Sequence, residues 1–213
     1  MEKIILIGGG GHCKSIIDTI KSSKLYDIVG IIDIREKIGE EINHIKIIDC
    51  DDNLNIYRKE VSNAFIAIGS IGNVNIRKEI FGKLKKLEFN LPFIIDKNAI
   101  ISENATIGCG TFIGKGVIVN SGASIGENCI INSGAIIEHD CKIGDFVHIA
   151  PGSTVCGGVK IKDNSHIGAG SVILQYNNIG HDTIIGAGSV VIRDISNNVV
   201  SYGNPAREVR RNE

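Results

Sequence analysis

Residues 131–149 read INSGAIIEHDCKIGDFVHI, with isoleucine at every sixth position. The same period continues without a break through seventeen positions that each hold Ile or Val: 95, 101, 107, 113, 119, 125, 131, 137, 143, 149, 155, 161, 167, 173, 179, 185 and 191. A mostly small residue follows four positions later, and glycine often follows directly. A six-residue repeat is too short for a helical hairpin and predicts a β-helix whose coils consist of short strands.

The outward-facing residues of this β-helix sort into three stripes. If three hexads make one coil, residues eighteen apart stack, and the residue before each aliphatic position points outward because side chains alternate along a strand. The first stripe is β-branched and comprises Ile100, Ile118, Ile136, Thr154, Val172 and Val190. The second stripe is polar and comprises Thr106, Ser124, Lys142, Lys160 and Asn178. The third stripe mixes apolar residues with histidine and comprises Phe112, Ile130, His148, His166 and Ile184.

The first stripe predicts a contact surface. Soluble monomers seldom leave a continuous apolar patch of this kind exposed to water. Because contacts around a threefold axis join two different surfaces, we expect the first stripe to pack against the third stripe of a neighbouring subunit. The alternative is that the N-terminal part of the same chain folds over the first stripe.

A different pattern precedes the repeat, and the chain is predicted to divide into residues 1–94 and 95–213. The apolar run at residues 3–8 ends in glycine and is typical of a strand buried on both faces. Residues 73–89 follow a helical pattern with Asn73 as the predicted N-cap. Strands that alternate with helices in this way predict a small parallel α/β domain of Rossmann-like type.

The composition restricts the classes of function. The 213 residues carry a formal net charge of −1, with 43% hydrophobic and 22% charged residues. Near neutrality without a basic cluster argues against binding to nucleic acid or to a membrane surface, and no run approaches the roughly 18 apolar residues of a membrane helix. The six cysteines form no CxxC pair or other metal-ligand spacing, so we expect free thiols and no bound metal. These features predict a soluble cytoplasmic protein.

The repeat of Ile or Val, glycine and a small residue resembles that of the hexapeptide-repeat acyltransferases. The resemblance implies a left-handed β-helix of triangular section with three hexads in each coil, and a homotrimer. The N-terminal α/β domain, with Gly-Gly-His at residues 10–12, narrows the similarity to the group of sialic acid O-acetyltransferases and UDP-4-amino-sugar N-acetyltransferases. This resemblance extends over both parts of the chain and implies acetyl-CoA as the acyl donor.

A candidate catalytic base lies in the hexad that begins at Ile137. His139 occupies its third position, at a predicted corner between the first and second stripes, and Asp140 follows it. Acyl transfer needs a base for the proton of the nucleophile, a neutral imidazole accepts one near pH 7, and a carboxylate orients the ring. In the resembled family a His followed by Glu or Asp in this hexad is the catalytic pair, which implies those roles for His139 and Asp140. From the residues alone, a solvated corner histidine in an acidic turn is the alternative.

Four further positions are expected at acetyl-CoA. The resemblance implies that His148 contacts it and that backbone groups near Ala169 and Ala187 line the groove for its pantetheine arm. The ending Gly-Asn-Pro-Ala-Arg resembles that of other hexapeptide acyltransferases, and its Arg207 suits the phosphates of CoA, a solvated tail being the alternative. The packing of stripes predicted above brings His148 of one subunit toward His139 of the next, so the site is expected between subunits.

The glycine-rich loop after the first predicted strand is expected to bind a sugar nucleotide. It opens a helix, the setting in which backbone N–H groups hold phosphate. The resemblance assigns contacts with the nucleotide sugar to Gly10, Gly11, His12, Asp33 and Gly69. NAD is disfavoured because Cys13 stands where a dinucleotide fingerprint has its third glycine.

The sequence therefore predicts an acetyl-CoA-dependent N-acetyltransferase that acts on a nucleotide-linked 4-amino-4,6-dideoxy sugar for bacterial surface glycan synthesis. O-acetylation of sialic acid or a related sugar hydroxyl is the alternative. A γ-type carbonic anhydrase, also a trimeric left-handed β-helix, needs three zinc-binding histidines, and the spacing of His139, His148 and His166 disfavours it. A scaffold or nucleotide-sensing module without activity is the non-enzymatic alternative.

Overall fold

The computed structural model describes residues 1–212, in which an α/β sheet is followed by a long series of two-residue strands. The N-terminal elements are β1 (Glu2–Ile7), α1 (Gly11–Ser23), β2 (Tyr26–Ile32), β3 (Glu41–Ile42), β4 (Ile45–Asp49), α2 (Leu54–Tyr57), β5 (Asn63–Ile66) and α3 (Asn75–Lys86). Their strands form one sheet in the order β3-β4-β2-β1-β5, which is parallel except for the β3–β4 pair.

Strand β1 is buried on both faces, as its apolar sequence predicts. Ile4 and Leu6 belong to one apolar cluster that includes residues of α1, whereas Ile5 and Ile7 belong to another that includes residues of α3. The side chains alternate because successive residues of a strand point to opposite faces. Helices on both faces of a mostly parallel sheet give the predicted α/β arrangement.

Helix α3 begins one residue later than a helix with Asn73 as its N-cap would begin. Asn73 lies outside the helix, and its side-chain oxygen accepts a hydrogen bond of 2.9 Å from the backbone N–H of Asn75. An asparagine that bonds to the backbone two residues ahead forms a local turn in place of the predicted cap.

From residue 94 onward, seventeen two-residue strands follow, each ending at one of the predicted aliphatic positions. They are β6 (Ile94–Ile95), β7 (Ile100–Ile101), β8 (Thr106–Ile107), β9 (Phe112–Ile113), β10 (Ile118–Val119), β11 (Ser124–Ile125), β12 (Ile130–Ile131), β13 (Ile136–Ile137), β14 (Lys142–Ile143), β15 (His148–Ile149), β16 (Thr154–Val155), β17 (Lys160–Ile161), β18 (His166–Ile167), β19 (Val172–Ile173), β20 (Asn178–Ile179), β21 (Ile184–Ile185) and β22 (Val190–Val191). A hairpin of β23 (Val199–Gly203) and β24 (Ala206–Arg211), which the repeat did not predict, extends the sheet of β21.

These strands form three parallel sheets, one on each face of the prism. The first face carries β7, β10, β13, β16, β19 and β22, and the second carries β8, β11, β14, β17 and β20. Each strand pairs with the strand three places further along the chain, and the paired residues are eighteen apart. Ile118 therefore lies beside Ile136, and Ser124 lies beside Lys142. The register confirms three hexads in each coil and the fold class predicted from the repeat.

The fourth position of fourteen consecutive hexads, from Gly110 to Gly188, adopts a left-handed backbone conformation. Glycine, asparagine and aspartate tolerate this conformation, whereas bulky residues seldom adopt it. Two of the fourteen residues are aromatic, namely Phe146 and Tyr176. The Phe146 ring packs edge-on against Phe81 with 5.4 Å between centroids, which places it in the apolar cluster beside α3.

The N-terminal domain covers the third stripe of the same chain, which corrects the prediction that a neighbouring subunit covers it. Phe112 and Ile130 join the apolar cluster of α1, and the His12 ring meets Phe112 edge-on at 5.1 Å. The buried Thr19 hydroxyl donates a 2.9 Å hydrogen bond to Asp96 at the base of the prism. The first stripe is uncovered by its own chain, and Ile100 is 67% exposed.

Arg77 of α3 joins the α/β sheet to the prism. Its guanidinium is 2% exposed and donates hydrogen bonds to the carbonyls of Ile66 and Ile68 and to two oxygens of Asn128 in a prism corner. All of these acceptors are uncharged, and burial lowers the pKa of Arg77 to about 10. The side chain thus satisfies carbonyls from both parts of the chain with one planar group.

None of the helices within residues 1–212 has the length and apolar character needed to cross a bilayer.

We predict that Arg77→Met lowers the free energy of unfolding by about 3 kcal/mol, because carbonyls buried between the sheet and the prism lose their donor. Urea denaturation followed by circular dichroism measures the change. Lys86→Met, at an exposed position of the same helix, is the matched control and should leave stability within about 0.5 kcal/mol of the parent. An equal and small effect of both variants would contradict the role given to Arg77.

Candidate active site

A cleft of about 590 Å³ lies where the N-terminal domain meets the prism. It is lined by Gly11, His12, Ser15, Gly69, Ser70, Ile71, Ile130, Asn132 and His148. The cleft thus brings together three of the residues predicted to bind the sugar nucleotide, Gly11, His12 and Gly69, with His148 from the prism.

The start of α1 forms one end of this cleft. Gly10 is the N-cap, makes no side-chain cap, and is followed by a first turn without acidic residues. The first N–H groups of a helix have no acceptor within the helix, and they carry the positive end of its dipole. An anionic group such as a phosphate is stabilised at a terminus of this kind.

Asp33 shapes the glycine loop from outside the cleft. Its carboxylate accepts hydrogen bonds from the backbone N–H groups of Gly9 at 2.7 Å and Ile34 at 2.7 Å, and from Lys37 Nζ at 3.2 Å. These hydrogen bonds hold its pKa below the usual range against the opposing effect of burial. Asp33 lines a separate cavity of about 180 Å³, so its contact with a substrate stays a prediction.

Three imidazoles in and beside the cleft are kept neutral. Burial, together with the nearby Arg77 guanidinium and His148, lowers the pKa of His12 to about 3. Burial also lowers the pKa of His148, although the 2.6 Å hydrogen bond between its Nδ1 and the carbonyl of Ser70 opposes this. His166 packs on His148 with 4.8 Å between ring centroids, and burial lowers the pKa of His166 to about 4.

Two nitrogens of these rings are buried without a hydrogen-bond partner among residues 1–212. They are Nε2 of His12 and Nδ1 of His166. A buried polar atom without a partner is costly, and His12 Nε2 belongs to a residue that lines the cleft.

His139 and Asp140 lie away from the cleft, at the corner between the first and second faces. The distance from His139 Nδ1 to Asp140 Oδ2 is 2.9 Å, so the aspartate reaches the ring although it is one methylene shorter than glutamate. The His139 side chain is 56% exposed. Its ring lies over Gly157 of the next coil, where a Cβ atom would approach Nε2 to 2.5 Å.

The first face separates this pair from the cleft. Asn132 lines the cleft at one edge of that face, and His139 follows β13 at the other edge. The cleft and the candidate base of one chain are therefore on opposite sides of the uncovered first stripe.

The other residues predicted at acetyl-CoA occupy exposed positions. Ala169 and Ala187 stack eighteen residues apart at the corner between the third and first faces, and Arg207 lies on the exposed hairpin strand β24. His148 lines the same cleft as Gly11 and His12 of the glycine-rich loop. It can contact acetyl-CoA only if the donor extends into that cleft. These four assignments stay predictions.

A second His-Asp pair occurs at another corner. His181 Nδ1 lies 2.7 Å from Asp182 Oδ2, and both residues have the same hexad positions as His139 and Asp140. This corner lies between the second and third faces, away from the first stripe. His181, to which the sequence analysis gave no role, thus provides a geometric control for His139.

Sequence reasoning missed several residues of the cleft and its support. Ser70 contributes a backbone carbonyl, a group that every residue type carries, and Asn132 resembles the other asparagines of the hexad turns. Arg77 was assigned no role in the sequence analysis. Among residues 1–212, no group of three or more His, Cys, Asp or Glu side chains is arranged to hold a metal ion.

A prism of hexad coils with a histidine–carboxylate pair at one corner, next to an α/β domain with an anion-binding helix terminus, defines the class of hexapeptide-repeat acyltransferases. Residues 3–84 match the family described as PglD N-terminal domain. Residues 104–139 and 140–175 each match the bacterial transferase hexapeptide (six repeats) family. No curated protein sequence matches the chain.

Solved structures resemble the chain over its whole length. PerB from Caulobacter crescentus, in complex with CoA and GDP-perosamine, is 31% identical with a TM-score of 0.91, covering 98% of each chain. The acetyltransferase domain of PglB from Neisseria gonorrhoeae, in complex with acetyl coenzyme A, is 31% identical with a TM-score of 0.89, covering 98% of this chain and 99% of that one. WeeI from Acinetobacter baumannii is 26% identical with a TM-score of 0.85, covering 98% of this chain and 100% of that one.

The chain belongs to the family of hexapeptide-repeat sugar acetyltransferases that carry a PglD-type N-terminal domain. Membership confirms the predicted family and gives the prism its left-handed winding.

We predict that the free energy of unfolding falls as the pH is lowered from about 6.5 to about 5, because histidines of the unfolded chain bind protons that the buried native imidazoles do not. His166→Phe keeps an aromatic ring against His148 and removes one such group. Urea titrations across this range should show that the free energy of unfolding changes less steeply with pH in His166→Phe than in the parent, by up to about 1.4 kcal/mol per pH unit. An unchanged slope in His166→Phe would show that the native His166 titrates like an exposed histidine.

Proposed function

We propose that this protein transfers the acetyl group of acetyl-CoA to the amine of a nucleotide-linked 4-amino-4,6-dideoxy sugar. The proposal rests mainly on two features that occur in the same chain. One is a helix terminus suited to a diphosphate, and the other is a corner histidine, His139, whose Nδ1 lies 2.9 Å from the Asp140 carboxylate. The relative PerB, bound to CoA and GDP-perosamine, supports this class of donor and acceptor.

The nucleotide sugar would bind in the cleft with its phosphates at the start of α1. Gly11 N–H and the helix dipole stabilise the charge. The sugar then extends past Ser70 and Asn132 toward the edge of the first face. This places the reacting amine at the rim of the cleft.

The base at that rim is proposed to come from a second copy of the chain. The uncovered first stripe needs a partner, and it separates the cleft from His139 of the same chain. In a homotrimer that buries this stripe, the corner with His139 on one subunit faces the cleft of the next. The third stripe takes no part in this contact because its own N-terminal domain covers it.

Chemically, the His139–Asp140 pair acts as a general base. Asp140 accepts a hydrogen bond from Nδ1–H, which leaves the lone pair of Nε2 free. Nε2 takes a proton from the amine while the nitrogen attacks the thioester carbonyl. The new C–N bond forms, the C–S bond breaks, and the proton passes to the CoA sulfur.

An amine acceptor is favoured over a hydroxyl because the chain resembles perosamine N-acetyltransferase along its whole length. A cytoplasmic location is proposed because acetyl-CoA is a cytoplasmic metabolite, and because the six cysteines of the described residues are free thiols.

We predict that CoA release with a GDP-linked 4-amino sugar falls by about 10³-fold or more in His139→Ala, because the general base is lost. His181→Ala removes the equivalent histidine from another corner and should retain activity within about twofold. The assay uses GDP-, UDP- and dTDP-linked 4-amino sugars and free sialic acid as acceptors.

Turnover of sialic acid with none of the 4-amino sugars would replace the proposal by O-acetylation. Equal turnover in His139→Ala and the parent enzyme would contradict the proposed base while leaving the substrate class in place.

A further inference from the structure

Tyr176 combines a strained backbone with an exposed aromatic side chain. Its φ is 62°, in the left-handed region, and its side chain is 72% exposed. A left-handed conformation costs a residue with a large side chain about 1–2 kcal/mol, and strain of this kind is concentrated at functional sites. Phe146 occupies the equivalent position in another hexad, but burial against Phe81 accounts for it. Tyr176 has no comparable burial.

The Tyr176 ring lies on the same pair of glycines as the candidate base. A Cβ atom at Gly157 would meet the His139 ring at 2.5 Å, and one at Gly158 would meet the Tyr176 ring at 2.6 Å. His139 belongs to the preceding coil and Tyr176 to the following coil. The two rings therefore approach the Gly157–Gly158 pair from opposite sides along one corner of the prism.

Backbone hydrogen bonds fix this arrangement. Gly158 N–H donates to the carbonyl of His139 at 2.9 Å, and Tyr176 N–H donates to the carbonyl of Gly157 at 3.0 Å. Backbone hydrogen bonds thus connect three successive coils at this corner, which carry His139, the Gly157–Gly158 pair and Tyr176 in turn. The two glycines let both rings lie close against the backbone, each over one glycine.

We propose that Tyr176 is a binding residue for the acyl donor, with its ring forming the wall on which the pantetheine arm of acetyl-CoA packs as the thioester approaches His139. The inference rests on the proposed function. It fits the acyl donor better than the sugar because Tyr176 lies two coils beyond His139, whereas the prism residues of the nucleotide cleft, Ile130, Asn132 and His148, lie within one coil of the height of His139. The line from His139 to Tyr176 runs toward the C-terminal coils, the end of the prism at which Ala187 and Arg207 were predicted to contact CoA from the other edge of the first face.

The ring, and not the hydroxyl, is assigned this role. An extended thioether and amide chain gains contact area from an aromatic face, and such contacts are worth a few-fold to about tenfold in affinity. Glycine at this position would relieve the left-handed strain, so the loss of the ring should weaken binding without weakening the fold.

The experiment measures CoA binding by titration calorimetry, together with KM for acetyl-CoA and for the nucleotide sugar. Tyr176→Gly should raise Kd for CoA and KM for acetyl-CoA about tenfold, leave KM for the sugar within twofold, and preserve or raise the melting temperature. Tyr176→Phe should stay within about twofold of the parent in every constant. Asn164→Gly, at a left-handed position of another corner, is the matched control and should bind CoA like the parent.

Parent-like CoA binding and KM in Tyr176→Gly would overturn the inference, as would a loss in Tyr176→Phe equal to that in Tyr176→Gly. A parent protein that binds no CoA would instead contradict the proposed function itself. A parent that binds CoA but acetylates none of the sugars would contradict the acceptor, while the comparison of CoA affinities would still decide the role of Tyr176.

Discussion

The stacking of residues eighteen apart is the constraint on which the rest of the structure depends. Backbone hydrogen bonds between successive coils enforce it along all three faces, for example between Ile136 and Ser153. Because the register is constant, one residue in each hexad always points into the core, one always points outward, and one always turns the corner. A side chain at a corner therefore has a position set by the backbone of three coils, which is the rigidity that a catalytic base requires.

The same constraint distributes the chemistry. Most corners hold glycine, asparagine or aspartate in a left-handed conformation, and Asp140 both adopts that conformation and reaches the ring of His139. Faces hold flat stripes, which suit broad contacts and not pockets. The chain uses the third face to seat its own N-terminal domain and so creates a cleft, whereas the first face is left uncovered and is proposed to contact another copy. In the proposed mechanism, anion binding and proton transfer lie at different edges of the first face.

The repeat, the three faces and the two candidate sites were predictable because each depends on local period or on a short motif. The seventeen aliphatic positions, the loop that opens α1 and the His139–Asp140 pair all appear in the structure where the pattern predicts them. What could not be predicted depends on contacts between distant segments. The partly apolar sequence of the third stripe predicts a contact surface whether a neighbouring subunit or the N-terminal domain covers it. Only the folded chain shows that the N-terminal domain of the same chain does so. The role of Arg77 follows from three backbone carbonyls and one amide side chain, which leave no trace in the sequence.

Subunit complementation tests most directly whether the active site is shared between two copies of the chain. Gly11→Glu places an acid at the α1 terminus, at a position where a Cβ atom has no other atom within 4 Å, so that its carboxylate repels phosphate, and His139→Ala removes the base. Each variant alone should be inactive. After equimolar mixing and subunit exchange, random trimers should recover about a quarter of the parent activity, since that share of interfaces joins an intact cleft to an intact base. Mixed trimers without activity, once exchange is verified by mass, would contradict the account.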